Sequence, residues 1–145
     1  MEQIYRIKNT AFAVLTAVGG TVAGYLGGWD AALQTLIAAM AVDYITGLAV
    51  AGVFKKSQKT GSGTLSSRAG FRGLVQKDCV LLLVFLAVLL DRFAGTDAAR
   101  PAVCWFFIAN EGLSILENFG LMGVPYPKFL REMLEALNQK GDEGR

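Results

Sequence analysis

Residues 31–54 read AALQTLIAAMAVDYITGLAVAGVF, 24 positions with one charge, Asp43, and a stop at Lys55-Lys56. About 20 helical residues at 1.5 Å rise cross a hydrocarbon core of ~30 Å, so this stretch has the length and polarity of a membrane span. Its upstream border is Gly27-Gly28-Trp29-Asp30, a turn with an interfacial aromatic and an acidic residue suited to cap the following helix. Upstream again lies a second uncharged run, 10–28, preceded by Arg6 and Lys8. A basic start, an apolar middle and Thr21-Val22-Ala23 also fit a cleaved secretory leader. The apolar run continues past Ala23, and an uncleaved first span is therefore expected.

Downstream, residues 55–77 form a basic loop carrying Lys55, Lys56, Lys59, Arg68, Arg72 and Lys77. Its first part is Ser-, Gly- and Thr-rich and reads as flexible. Its second part, 68–77, has the pattern of a short amphipathic helix lying on the membrane surface. A third span is expected over 78–94, short but workable if Asp91 and Arg92 reach the interface. Pro101 then suits the first turn of a fourth helix over 101–122. A final amphipathic helix over 127–140 places Phe129, Leu130, Met133, Leu134 and Leu137 on one face, and the tail from Asp142 is expected to fray. The expected fold is thus an all-α integral membrane protein, one domain of four transmembrane helices with an amphipathic cytoplasmic C-terminal helix.

Charge supports that count. With four spans, 12 of the 14 Lys and Arg residues lie on the side holding both termini and the 55–77 loop. With three spans the split weakens to 8 and 6. The positive-inside rule favours four, with both termini cytoplasmic.

Composition removes many functions. The 145 residues are 53% hydrophobic and contain no histidine, which excludes Ser-His-Asp catalysis and His-ligated zinc. Two cysteines, expected near opposite faces as free thiols, make neither a metal site nor a disulfide framework. A net charge of +2 without a basic block gives no basis for binding nucleic acid. No enzyme activity, cofactor or metal is expected.

Two patterns remain as candidate functional surfaces. Gly20, Gly24 and Gly28, extended by Ala13, Ala17 and Thr16, form a strip of small residues on the first span, the kind that lets helix backbones approach in lipid. It serves contacts either within one chain or between copies. On the fourth span, Asn110, Glu111, Ser114, Glu117 and Asn118 share an arc of roughly 120° at about 100° per residue. Charges at mid-depth cost roughly 2.5–3.5 kcal/mol or more against lipid. The arc must line a pore, hydrogen-bond inside the bundle, or lie flat at the interface. Asp43 is a further intramembrane carboxylate, either functional or held by neighbouring helices.

Taken in order, Asp43-Tyr-Ile-Thr-Gly47, Leu65-Ser-Ser-Arg-Ala-Gly-Phe-Arg-Gly-Leu74 with Lys77, and Asn110-Glu-Gly-Leu-Ser-Ile-Leu-Glu-Asn118 followed by Gly123-Val-Pro125 resemble the bacteriophage holin family. That group includes holin-like proteins that export large clostridial toxins. The resemblance covers residues 30–137 and implies a homo-oligomeric lesion in the bacterial cytoplasmic membrane, with endolysin or toxin as cargo in phage lysis or secretion. The main rival is a small four-span ion or solute transporter using Asp43 for coupling. A membrane scaffold without conductance is a third reading. An intramembrane hydrolase would need an aspartate partner for Asp43 that the sequence lacks at depth.

Overall fold

The computed structural model describes residues 1–142, with side chains described through Gln139. It contains five helices and, among the described residues, no strand: α1 Glu2–Tyr25, α2 Ala31–Gly52, α3 Ser67–Ala94, α4 Ala99–Met122 and α5 Lys128–Asp142. The tail beyond residue 142 lies outside the described residues.

Local chemistry explains most borders. Asp30 caps α2, its Oδ1 accepting from the Leu33 amide at 3.0 Å, and so satisfies one of the helix's orphan donors. Pro101 falls in the first turn of α4, where its missing N–H costs nothing. Gly27 and Gly28 take φ of 90° and 105° in the turn after α1, a conformation that side chains resist. This corrects the strip of small residues: α1 ends at Tyr25, and Gly28 belongs to a turn.

A larger correction concerns α3. It begins at Ser67 instead of 78, so the expected surface helix and third span are one helix of 28 residues. No proline interrupts Arg68 to Asp78, and the two glycines there lower helix propensity by about 1 kcal/mol each without breaking the helix. Both lie against Tyr44 of α2, whose hydroxyl would be 3.4 Å from a Cβ built at Gly70 and whose nearest ring carbon would be 3.7 Å from one at Gly73. The connecting loop shrinks to residues 53–66, and Lys77 moves out of it into the middle of the bundle.

Helix α2 runs parallel to α4, and α3 runs antiparallel to both. Asp30 meets Arg100 at one end, Asp43 and Glu111 meet through Lys77 further down, and Thr46 meets Asn118 beyond that. Between the first two levels lies the apolar core, including Leu33, Leu36, Met40, Val84 and Cys104. Thirteen residues of α2 separate them, which is about 20 Å. Helix α5 turns back along α4 and sets Leu134 against Gly112, and Tyr126 in the connection before it lies near Gly120.

Helix α1 stands apart. Its residues 2–22 are all exposed, and it meets the bundle at its end, through Ala23, the edge-on contact of Tyr25 with Phe85, and Leu26 just beyond it. Helices α2 and α3 combine the length and hydropathy needed to cross a membrane, whereas α1 and α4 do not reach that hydropathy. Large apolar side chains cover the outside, among them Phe12, Leu82, Leu86 and Phe93. A surface of this kind is costly in water and suited to lipid.

Candidate functional site

The polar groups of three helices converge at one level. Lys77 of α3 donates to Asp43 Oδ2 of α2 at 2.8 Å and to Glu111 Oε2 of α4 at 2.5 Å. The side chains are 14%, 7% and 9% exposed, so this is a buried ionic layer. Asn118 completes it, its Nδ2 lying 3.2 Å from Asp43 Oδ1, 3.4 Å from the Asp43 carbonyl and 2.9 Å from Thr46 Oγ1. Thr46 in turn donates to the Asp43 carbonyl at 3.0 Å.

Two carboxylates around one ammonium leave the layer with a formal excess of one negative charge. Such a group is tolerated in an apolar interior only while its members remain paired and hydrogen-bonded. Each carboxylate borrows its counter-ion from another helix, and separating the helices would strand all three charges. The layer thus ties the integrity of the bundle to one contact set.

The five polar residues of α4 do not act as a unit. Glu111 and Asn118 are buried in the layer, Ser114 is half-buried, and Asn110 and Glu117 are exposed. Ser114, Glu117 and Asn118 border a cavity of about 130 Å³ whose other wall includes Ser57, Gln58 and Lys59 of the loop. A smaller space of about 60 Å³ on the other side of the loop reaches Asp43 and Lys77. The 53–66 loop therefore sits over the ionic layer. Lys55, Lys56 and Lys59 in it are exposed, as are Arg68 and Arg72 at the start of α3. Among the strip residues, a Cβ added at Gly20 or Gly24 meets nothing within 4 Å. Among the described residues these two glycines have no packing partner.

A second constellation closes the opposite end. Arg100 grips the α1–α2 turn: Nη1 and Nη2 donate to Asp30 at 2.7 and 3.0 Å, Nε donates to the Leu26 carbonyl at 2.6 Å, and Nη2 also reaches the Gly28 carbonyl at 3.3 Å. The guanidinium, aided by the Leu33 amide, holds the Asp30 carboxyl down at about 2. Asp91 of α3 caps α4 from outside, accepting from the amides of Ala98, Ala99 and Arg100 at 3.1, 2.9 and 2.8 Å. Sequence reasoning assigns Lys77 to the basic loop, whereas it lies within α3, and it does not single out Thr46 or this clamp. Asp30 is legible in the sequence as the border of a helix, but nothing local joins it to Arg100, 70 residues away. Among the described residues no three His, Cys, Asp or Glu side chains gather as a metal site requires.

An all-helical chain with a lipid-suited exterior and a buried ionic layer between three helices defines a small helical membrane protein. The chain belongs to the bacteriophage holin family, whose model matches residues 20–139. Similar proteins include an uncharacterized protein of Clostridium perfringens, 39% identical over 118 residues, 80% of this chain and 82% of that one. Another is an uncharacterized protein of Listeria innocua, 39% identical over 146 aligned positions, 99% of this chain and 94% of that one. A probable holin of Bacillus phage phi105 is 32% identical over 120 residues, 82% of this chain and 83% of that one. No solved structure gives a significant match.

Proposed function

We propose that this chain is a holin that oligomerises in the bacterial cytoplasmic membrane and opens a lesion for an endolysin or a large toxin. In this reading α1 to α4 all cross the membrane, both termini face the cytoplasm, and α5 lies on the cytoplasmic side. Membership of the family carries the class of function. The single structural observation that carries the mechanism is the buried layer of Asp43, Lys77 and Glu111.

In the closed bundle these charges satisfy one another. When neighbouring copies associate and the helices part, the same groups need a new polar environment, and a water-filled lumen supplies it. The free strip of Ala13, Thr16, Gly20 and Gly24 gives α1 a close-packing face for another copy. The transporter reading draws less support: Asp43 is 5% exposed, and both its carboxylate oxygens already accept hydrogen bonds. A coupling carboxylate must exchange its partners with solute.

The test is release from vesicles containing the purified chain. A holin lets a small dye and a folded protein of endolysin size escape together. A transporter passes only the small solute, and a scaffold passes neither.

A further inference from the structure

Helix α3 carries two cations and a row of apolar side chains on one outward face. At about 100° per residue, Arg68 and Arg72 lie about 40° apart, and Val75, Cys79, Leu82 and Leu86 continue within roughly 40° of Arg68. All six are exposed. Residues 67–76 contain no carboxylate, and the ion pairs among the described residues use Lys77, Arg100 and Arg131, leaving Arg68 and Arg72 unpaired. Guanidinium groups one helical turn apart offer fixed forks of donors that match phosphate oxygens. From Arg72 to Leu82 is about 15 Å, half of a hydrocarbon core and so the depth of one leaflet.

We propose that this face of α3 binds an anionic phospholipid of the cytoplasmic leaflet, phosphate on Arg68 and Arg72, acyl chain along Val75 to Leu82. The proposal rests on the reading that α3 crosses the membrane with its N-terminal end on the cytoplasmic side. Charge complementarity selects the occupant: an uncompensated cationic pair directly above an apolar stripe matches an anionic headgroup above its chain. A bound lipid of this kind would orient α3 and hold the end that carries Lys77.

The full chain, reconstituted in mixed phosphatidylglycerol and phosphatidylcholine nanodiscs and then extracted in mild detergent, reports the lipids it retains. The wild type is expected to retain phosphatidylglycerol over phosphatidylcholine by about fivefold or more, given the attraction of each surface cation for anionic lipid. R68Q/R72Q is expected to fall to near parity, with R72Q intermediate, while K55Q/K56Q, which removes equal charge from the loop, keeps the preference. No preference in the wild type, or equal loss in both double variants, overturns the proposal. Flotation with pure phosphatidylcholine vesicles separates the two levels. A chain that fails to float overturns the spanning reading and the proposal together. A chain that floats but shows no preference overturns the lipid site alone.

Discussion

Asp43 and Lys77, 34 residues apart, meet at 2.8 Å in the interior of the bundle. Lys77 also holds Glu111 of α4, so this one ammonium joins three helices. Removing a partner from a buried ion pair is far more damaging than removing both, because it leaves a charge without compensation.

Lys77→Met therefore strands two carboxylates, at a cost of about 3–5 kcal/mol to the closed bundle. Expected outcomes are a lower melting temperature in detergent and, in cells, an earlier onset of lysis than wild type. Thermal unfolding and a culture-density time course check both. Unchanged melting and timing would remove the lock from the mechanism.

Asn118→Ala takes away the donor to Asp43 Oδ1 and Thr46 and should cost about 1–3 kcal/mol, the penalty of an acceptor left unsatisfied. Asn110→Ala, on the exposed side of the same helix, should stay within about 0.5 kcal/mol. Melting the two variants side by side tests the division of the polar arc directly. Equal effects would contradict it.

That division marks how far the sequence could be read. The helices were legible because long apolar runs interrupted by Gly, Pro and charge leave few alternatives; the Asp30 cap and the place of Pro101 in a first turn followed from local chemistry. The polar arc of α4 was legible as an arc, but which half faces inward depends on where α2 and α3 stand. Lys77 was misread because its neighbours in sequence resemble a loop, while its partners lie a whole helical hairpin away. The uninterrupted stretch from Arg68 to Asp78, with no proline, was the available signal. Family resemblance identified the segments around all three charges without revealing that they touch.

At the other end, pH acts through Asp30, whose carboxyl is held at about 2 against an ordinary 3.8. A lowered folded value means that the Arg100 clamp contributes fully above pH ~4 and is lost as pH falls toward ~2. The neighbouring Trp29 is exposed and reports on the turn. Its fluorescence is expected to change over that window in the wild type. In Asp30→Asn the change should vanish, and its persistence would assign the transition to another group.

Gly112 gives α5 its seat on α4, since a Cβ there would lie 2.9 Å from Leu134 Cδ1. Gly112→Leu should overpack this contact by about 1–3 kcal/mol and loosen α5. Limited proteolysis is expected to cut near Tyr126 to Lys128 faster than in wild type. An unchanged digestion pattern would contradict the packing.

Gly24→Leu meets open space within its own chain, so single-chain folding should be unaffected. Assembly should weaken if α1 pairs between copies, because a bulky side chain separates the backbones. Cross-linking in membranes should show oligomers reduced severalfold. Undiminished oligomers would move the contact to another helix.

The claim that this protein opens a path large enough for folded cargo is tested most directly by co-encapsulating a small dye and an endolysin-sized protein in vesicles bearing the chain. The holin reading requires both to escape together, and sooner with Lys77→Met than with wild type. Escape of the dye alone, with the protein retained at every chain density, would contradict it.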